Sequence, residues 1–373
     1  MKRILKFSLF ITTILITLFL LSVSAFAFEE NIDSYKDEFD FETIADAIDD
    51  ETAEILAEMG IDEISFEKIF SVSATKVFDV LFNITKRSLT EPFRFLVSAT
   101  GVLILTALFS SFLNSSQGVS VIGNSVLVLA VAVPVANAAT TAFSVLEALN
   151  AFTTAFAGVF AMIVSSSGKV ALGTSYASLA VLSDTLFSTL LSGVSQPAVN
   201  AMCALGFLSC FDIYKFSEKI SSTVKKLYIT FLGFIGTFFS GIVTLKGVMG
   251  AGVDSLTSRG IRFVVGRTVP VVGGAVSDTY SALVSSLSLI KSTVGIFGIV
   301  TVVLTVFPSL LELIGWVFAL SVIVSISELL GSTDCVGMLN IFKDALTLLG
   351  ATTVFSAVIF IVSVGVVIFV KGV

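Results

Sequence analysis

The chain has 373 residues, 55% of them hydrophobic, with mean hydropathy +1.02 and net charge −7. Such a composition excludes an ordinary soluble globular domain. The absence of histidine excludes histidine metal sites and Ser-His-Asp triads.

The charge is uneven. Between Glu29 and Glu67 there are 16 acidic residues against one basic residue, Lys36. From Phe93 to Val373 there are 13 basic and 10 acidic residues. An acidic segment is thus joined to a mildly basic, strongly apolar body. No basic patch with interleaved aromatics is present, so nucleic acid is not an expected partner. The cysteines Cys203, Cys210 and Cys335 form no CxxC pair and read as small buried hydrophobes. No cofactor or metal motif is found.

Lys2, Arg3 and Lys6 precede an apolar run from Phe7 to Val23, and Ala25-Phe26-Ala27 fits a small-x-small cleavage site. Residues 1–27 therefore read as a secretory signal peptide, either cleaved or kept as an anchor. Residues 28–92 follow as an acidic extracytoplasmic helical region. Within it Phe41, Ile44, Ala45 and Ile48 recur at helical spacing. Ile55, Leu56 and Met59 do so again, with Gly60 as the C-cap. A helix after Ser73 carries Val77, Phe78, Leu81, Phe82 and Ile84. These narrow apolar faces make either a small subdomain needing a partner surface or a solvated acidic linker. Glu91-Pro92 marks entry to the membrane.

Residues 93–373 read as a multi-spanning membrane domain, and the fold class is all-α, a polytopic helical membrane protein. Apolar runs of about 20 residues match the hydrocarbon thickness, and backbone satisfaction in lipid makes them helices. The expected helices are 95–113, 119–140, 142–164, 170–191, 198–211, 227–249, 294–311, 313–329 and 346–370. Pro308 either separates two of them or kinks one. With the acidic segment outside, Lys169 and the 212–226 loop, with Lys215, Lys219, Lys225 and Lys226, fall inside. Arg259, Arg262 and Arg267 then conflict with that rule. Either one weak span does not cross, or a broken, re-entrant segment over about 254–292, walled in by protein, holds these arginines.

Asp184 sits mid-span on a stripe with Thr174, Ser178, Thr185, Ser188 and Ser192. An intramembrane carboxylate is either functional or a hydrogen-bonded helix contact. Ser277, Ser281, Ser285 and Ser288 form a second stripe near Lys291 and Asp278, either tight packing or a wet lining. Gly233, Thr237 and Gly241, four apart, form a small-residue face for packing within the chain or between copies of it. Glu312 lies one turn before Trp316, either near an interface or snorkelling. Residues 254–278 are the first candidate for a gate or conduit wall. Arg259 and Arg262 share a helical face, Pro270 with Gly273 and Gly274 breaks the helix, and Asp278 opens the next.

Arg262-Phe-Val-Val-Gly-Arg-Thr-Val-Pro-Val-Val-Gly-Gly-Ala-Val-Ser-Asp278, then Leu289-Ile-Lys-Ser-Thr-Val-Gly-Ile-Phe-Gly298, resemble the stage III sporulation protein AE family. Glu58-Met-Gly-Ile-Asp62 and Leu89-Thr-Glu-Pro92 are in the same manner, as is the layout. The resemblance implies a role in endospore formation, in the mother-cell membrane around the forespore. It implies partners too: a transenvelope, secretion-like channel complex with a cytoplasmic ATPase and ring-forming membrane proteins. It assigns no catalytic residues. Three roles stay open: a non-enzymatic gate, core or scaffold of that complex, a stand-alone secondary transporter using Asp184 or Asp278, and an anchor whose acidic region recruits partners. An intramembrane protease is disfavoured, because Gly252-Val-Asp254 does not match GxGD.

Overall fold

A computed structural model describes residues 39–61, 64, 68–69, 71–112, 116–209, 214–268, 273–330 and 336–369. The signal sequence lies outside the described residues. Every regular element among the described residues is a helix. Two short helices, α1 (Phe41–Asp46) and α2 (Asp50–Met59), precede α3 (Ala74–Phe112) and α4 (Ser116–Ser166). Then come α5 (Val170–Ser188), a π-helical segment (Thr189–Ser195), α6 (Gln196–Leu208), α7 (Tyr214–Thr268), α8 (Gly273–Leu329) and α9 (Val336–Phe369). Six helical stretches are long and apolar enough to cross a membrane: Ala74–Phe109, Ala130–Ser166, Val170–Gly206, Ser217–Thr257, Leu287–Leu329 and Val336–Ile368.

The short helices start and stop for local reasons. Asp40 accepts the Thr43 N–H at 3.0 Å and its hydroxyl at 2.6 Å, capping α1. The Thr43 bonds hold the Asp40 carboxyl below its ordinary value. The cap is therefore complete above the ordinary carboxylate range and is lost as pH falls through the lowered value. Asp49 caps α2 through the Thr52 N–H at 3.1 Å. Gly60, at φ 86°, ends α2, and the Ile61 N–H closes onto the Leu56 carbonyl at 2.8 Å.

The partner surface expected for the acidic region lies within the chain. Ile44, Ile55, Leu56 and Met59 are buried in one core with Leu149, Phe152 and Phe156 of α4 and Leu304 and Val306 of α8. Thr52 Oγ1 donates to Thr305 Oγ1 at 3.1 Å. Of the expected face after Ser73, Ile84 is buried, but Phe78 and Phe82 face outward at 68% and 60% exposure, and Val80 is buried in their place. Leu56→Ala is expected to cost about 2–5 kcal/mol of this docking, as buried leucine truncations do. Limited proteolysis in detergent should then cut between residues 60 and 74 while the membrane helices survive.

The bundle is built from fewer, longer helices than the run lengths implied. The expected helices 119–140 and 142–164 are one element, α4, of 51 residues. They had been divided on length alone, and the junction Ala138–Ala142 contains no helix breaker. The expected helices 294–311 and 313–329 are likewise one, with Pro308 inside α8. Pro92 lies inside α3, which runs unbroken from Ala74. The short 198–211 segment is α6, joined to α5 through the π-helical segment within a single candidate span. At 55 and 57 residues, α7 and α8 rise more than ~80 Å, over twice the hydrocarbon thickness, so their ends project beyond it.

The span of α8 is the most buried, and α8 and α9 pack on each other to form the centre. α3 and α4 lie against α8, while α5, α6 and α7 lie against α9. Two glycines set close approaches. A Cβ at Gly315 of α8 would come 2.8 Å from Leu89 and 3.0 Å from Pro92 of α3. A Cβ at Gly298 would overlap the ring of Phe156, which is fully buried against Phe152, Phe160 and Phe360 and has nowhere to go. Gly298→Leu is therefore expected to destabilise by about 1–3 kcal/mol or more. Gly233→Ala on the open face of α7, where a Cβ meets nothing within 4 Å, should be neutral or stabilise by up to ~1 kcal/mol. Thermal unfolding of the purified protein compares the two.

Candidate functional site

The inner face of α7 carries polar groups near both ends of its span, bonded to α9, the π-helical segment and α5. At the start, Lys225 pairs with Asp344 of α9, with side chains 22% and 9% exposed. About two turns further out on α7, Glu218 accepts the Asn340 amide at 3.0 Å, and Asn340 accepts the Lys343 ammonium at 2.6 Å. One turn along α7 from Lys225, Tyr228 bonds Ser195 of the π-helical segment and Thr352 of α9, the latter at 2.9 Å. Ser195 and Thr352 lie 3.4 Å apart, so three buried hydroxyls meet in one knot. At the end, buried Asp254 accepts the N–H groups of Ala171 and Leu172 at 2.8 and 2.9 Å. Its charge sits at the N-terminus of α5, where the helix dipole favours an anion. Between them Lys246 donates to Ser178 of α5.

The 29 residues from Lys225 to Asp254 rise about 43 Å, so these rungs reach from one end of the bundle to the other. Lys169 lies beside Lys291 and next to the α5 N-terminus that Asp254 caps. It therefore sits at the opposite end from Lys225. The sequence reading had placed Lys169 on the side of the 212–226 loop, and counting α4 as one crossing corrects that.

The residues singled out from sequence fall in different places. Asp184 is half-buried and accepts the Thr154 hydroxyl of α4 at 3.1 Å. Thr174, Ser178, Thr185 and Ser188 of its stripe are exposed. Glu312 accepts the Trp316 indole N–H at 3.3 Å. Lys291 is 1% exposed and donates to the Val367 carbonyl in the last turns of α9 at 3.1 Å. Gly233, Thr237 and Gly241 face outward, whereas the adjacent Gly236 abuts the Phe355 ring of α9. Arg259, Arg262 and Arg267 lie on α7, and Gly273, Gly274, Asp278, Ser281 and Ser285 on α8. The side chains of these eight, and Pro270 altogether, lie outside the described residues.

Sequence reasoning missed the Ser195–Tyr228–Thr352 knot and the Lys225–Asp344 pair. A tyrosine and a threonine inside apolar runs, and a lysine and an aspartate near the ends of two spans, were the available signals. Nothing in the sequence paired them.

The family model described as stage III sporulation protein AE matches residues 56–371. The chain belongs to the stage III sporulation protein AE family. A curated member from Bacillus subtilis (strain 168), named Stage III sporulation protein AE, is 23% identical over 212 residues. That alignment covers 56% of this chain and 52% of the relative, about half of each. No solved structure matches. The family match takes in every rung of α7, from Glu218 to Asp254, and the whole arginine-bearing segment.

Proposed function

We propose that this sporulation protein is a non-enzymatic subunit of a channel complex linking mother cell and forespore. It would sit in the mother-cell membrane around the forespore, with its acidic N-terminal region on the extracytoplasmic side. Its partners would be the other subunits of that complex, including an ATPase and ring-forming proteins. The family match over residues 56–371 carries this reading. The bundle supports it physically. A long α7 held by a few strong polar rungs, with Gly233, Thr237 and Gly241 open on its outer face, can shift as a unit between discrete packings. The segment of residues 254–278, with Arg259, Arg262, Arg267, Pro270 and Asp278, is the proposed gate.

Tagged full-length protein drawn from sporulating membranes should co-purify with a cytoplasmic ATPase and ring-forming membrane proteins, identified by mass spectrometry. Purification of the chain alone under conditions that preserve membrane assemblies overturns the proposal. Arg267→Ala and Pro270→Leu are expected to stop forespore development while the protein accumulates normally, and normal spore counts from both remove the gate. The half-buried Asp184 favours a second reading, a stand-alone secondary transporter. Gradient-driven uptake by liposomes holding only this protein would support it.

A further inference from the structure

The exposed faces of α2 and of the first half of α3 carry opposite charge. Asp50, Glu54 and Glu58 lie four apart along the outer face of α2, beside Ala53 and Ala57, and all five are exposed. Among the described residues no cation pairs with these three carboxylates. Between Ala74 and Thr90 the exposed charges of α3 are Lys76, Lys86 and Arg87 against Asp79. Arg87 reaches Glu51 of its own α2 at 3.9 Å, and Lys76 lies against Gly60 at the end of that helix. Lys86 has no carboxylate partner among the described residues.

On the same stretch the exposed rings of Phe78 and Phe82 stack with centroids 6.4 Å apart. They stand on the side of α3 away from its own α2. Val80 and Ile84, which enter the core that holds Ile55 and Leu56, are each two residues on and so about 160° around the helix. Lys86 extends the Phe78–Phe82 row by one more turn. Asp79, Asn83 and Lys86 border the rings, so apolar surface is rimmed by polar side chains, as at sites where proteins meet.

We infer that this face of α3 receives α2 of a second copy of the chain. The Phe78 and Phe82 rings lie over Ala53 and Ala57 of that copy, and Lys86 lies beside its Asp50–Glu54–Glu58 row. Charge complementarity selects α2, because its outer face is acidic where that of α3 is basic. Level along the bundle selects it as well. α2 and the first half of α3 enter one core with Leu304 and Val306, so a neighbour turned about an axis along the bundle brings one face to the other without a step. The two faces differ, so the contact is head-to-tail, repeats from copy to copy and closes a ring where the rotation allows. Each α3 is then held between its own α2 and that of its neighbour.

A benzophenone amino acid in place of Phe82 keeps a phenyl ring there and tests the contact. Photolysed in sporulating cells that make the full chain, it is expected to give an adduct of twice the chain mass that maps to residues 50–58 of a second copy. K86E on the copy that carries the probe should lower this adduct about threefold or more, the scale of reversing one or two exposed ion pairs. Supplying E54K/E58K on the other copy should restore it. Rescue by the opposite charge separates a lost contact from a misfolded variant, and all three substituted side chains are exposed. An adduct to lipid alone, to a different protein or to another part of the second copy overturns the inference. So does a yield indifferent to K86E, or one that E54K/E58K fails to restore. The readout concerns copies of this chain alone, whereas co-purification of an ATPase and ring-forming proteins tests the channel reading, so each can fail without the other.

Discussion

Asp344→Ala is expected to cost about 3–5 kcal/mol of stability, because it strands the Lys225 ammonium against α9 without its counter-charge. The size follows from where the pair sits. The Asp344 side chain is 9% and that of Lys225 22% exposed, so water screens little of the loss. A surface ion pair such as Arg87–Glu51, with side chains 78% and 47% exposed, should lose under ~1 kcal/mol on the same treatment. The contrast tests the cause. Replacing both partners with apolar residues, Lys225→Met with Asp344→Leu, removes the stranded charge and should recover most of the stability. Unfolding in mixed micelles, followed by helical circular dichroism, reads all four proteins. A double variant as unstable as Asp344→Ala would show that the charge itself, and not its isolation, holds α7 to α9.

Asp254→Ala should be the second large effect, about 2–5 kcal/mol. The substitution leaves the N–H groups of Ala171 and Leu172 without an acceptor at the start of α5. Each stranded buried donor costs ~1–3 kcal/mol, and the favourable charge at a helix N-terminus goes too. Asp254→Asn keeps one carbonyl acceptor and loses the charge, so it should fall between wild type and alanine. Hydrogen exchange of the amides of residues 170–174 localises the effect. Exchange that quickens uniformly along the chain, rather than first at the α5 start, would contradict this account. Both aspartates hold α7, so either variant is also expected to lower spore formation through protein loss, and membrane abundance must be measured alongside.

The parts of the fold that were legible in sequence share one property, which is that their causes are local. The Asp40 and Asp49 caps, the left-handed Gly60 and the buried set Ile55, Leu56 and Met59 depend on neighbours within one turn. What misled was run length. Val119–Thr140 and Ala142–Val164 each had the length of one crossing, yet Ala138–Ala142 offers no reason to stop. Pro308 reads from sequence as a possible break, yet it sits inside α8, and Pro92, the expected membrane entry, sits inside α3. Pro92 rests against Gly315 of α8. The polar rungs were illegible because their partners are far apart in sequence. Lys225 and Asp344 are separated by 119 positions, and Asp254 and Ala171 by 83.

By itself, the sequence determined that this is a helical membrane protein with an acidic N-terminal region, because hydrocarbon dictates helices wherever apolar runs are long enough. It also carried the motifs by which the family is known. The tertiary structure alone decided how many helices those runs make, that the acidic region rests on α4 and α8, and that α7 is pinned near both ends of its span. Those outcomes depend on which distant side chains meet, and a periodicity read along one strand of chain holds no information about its partners.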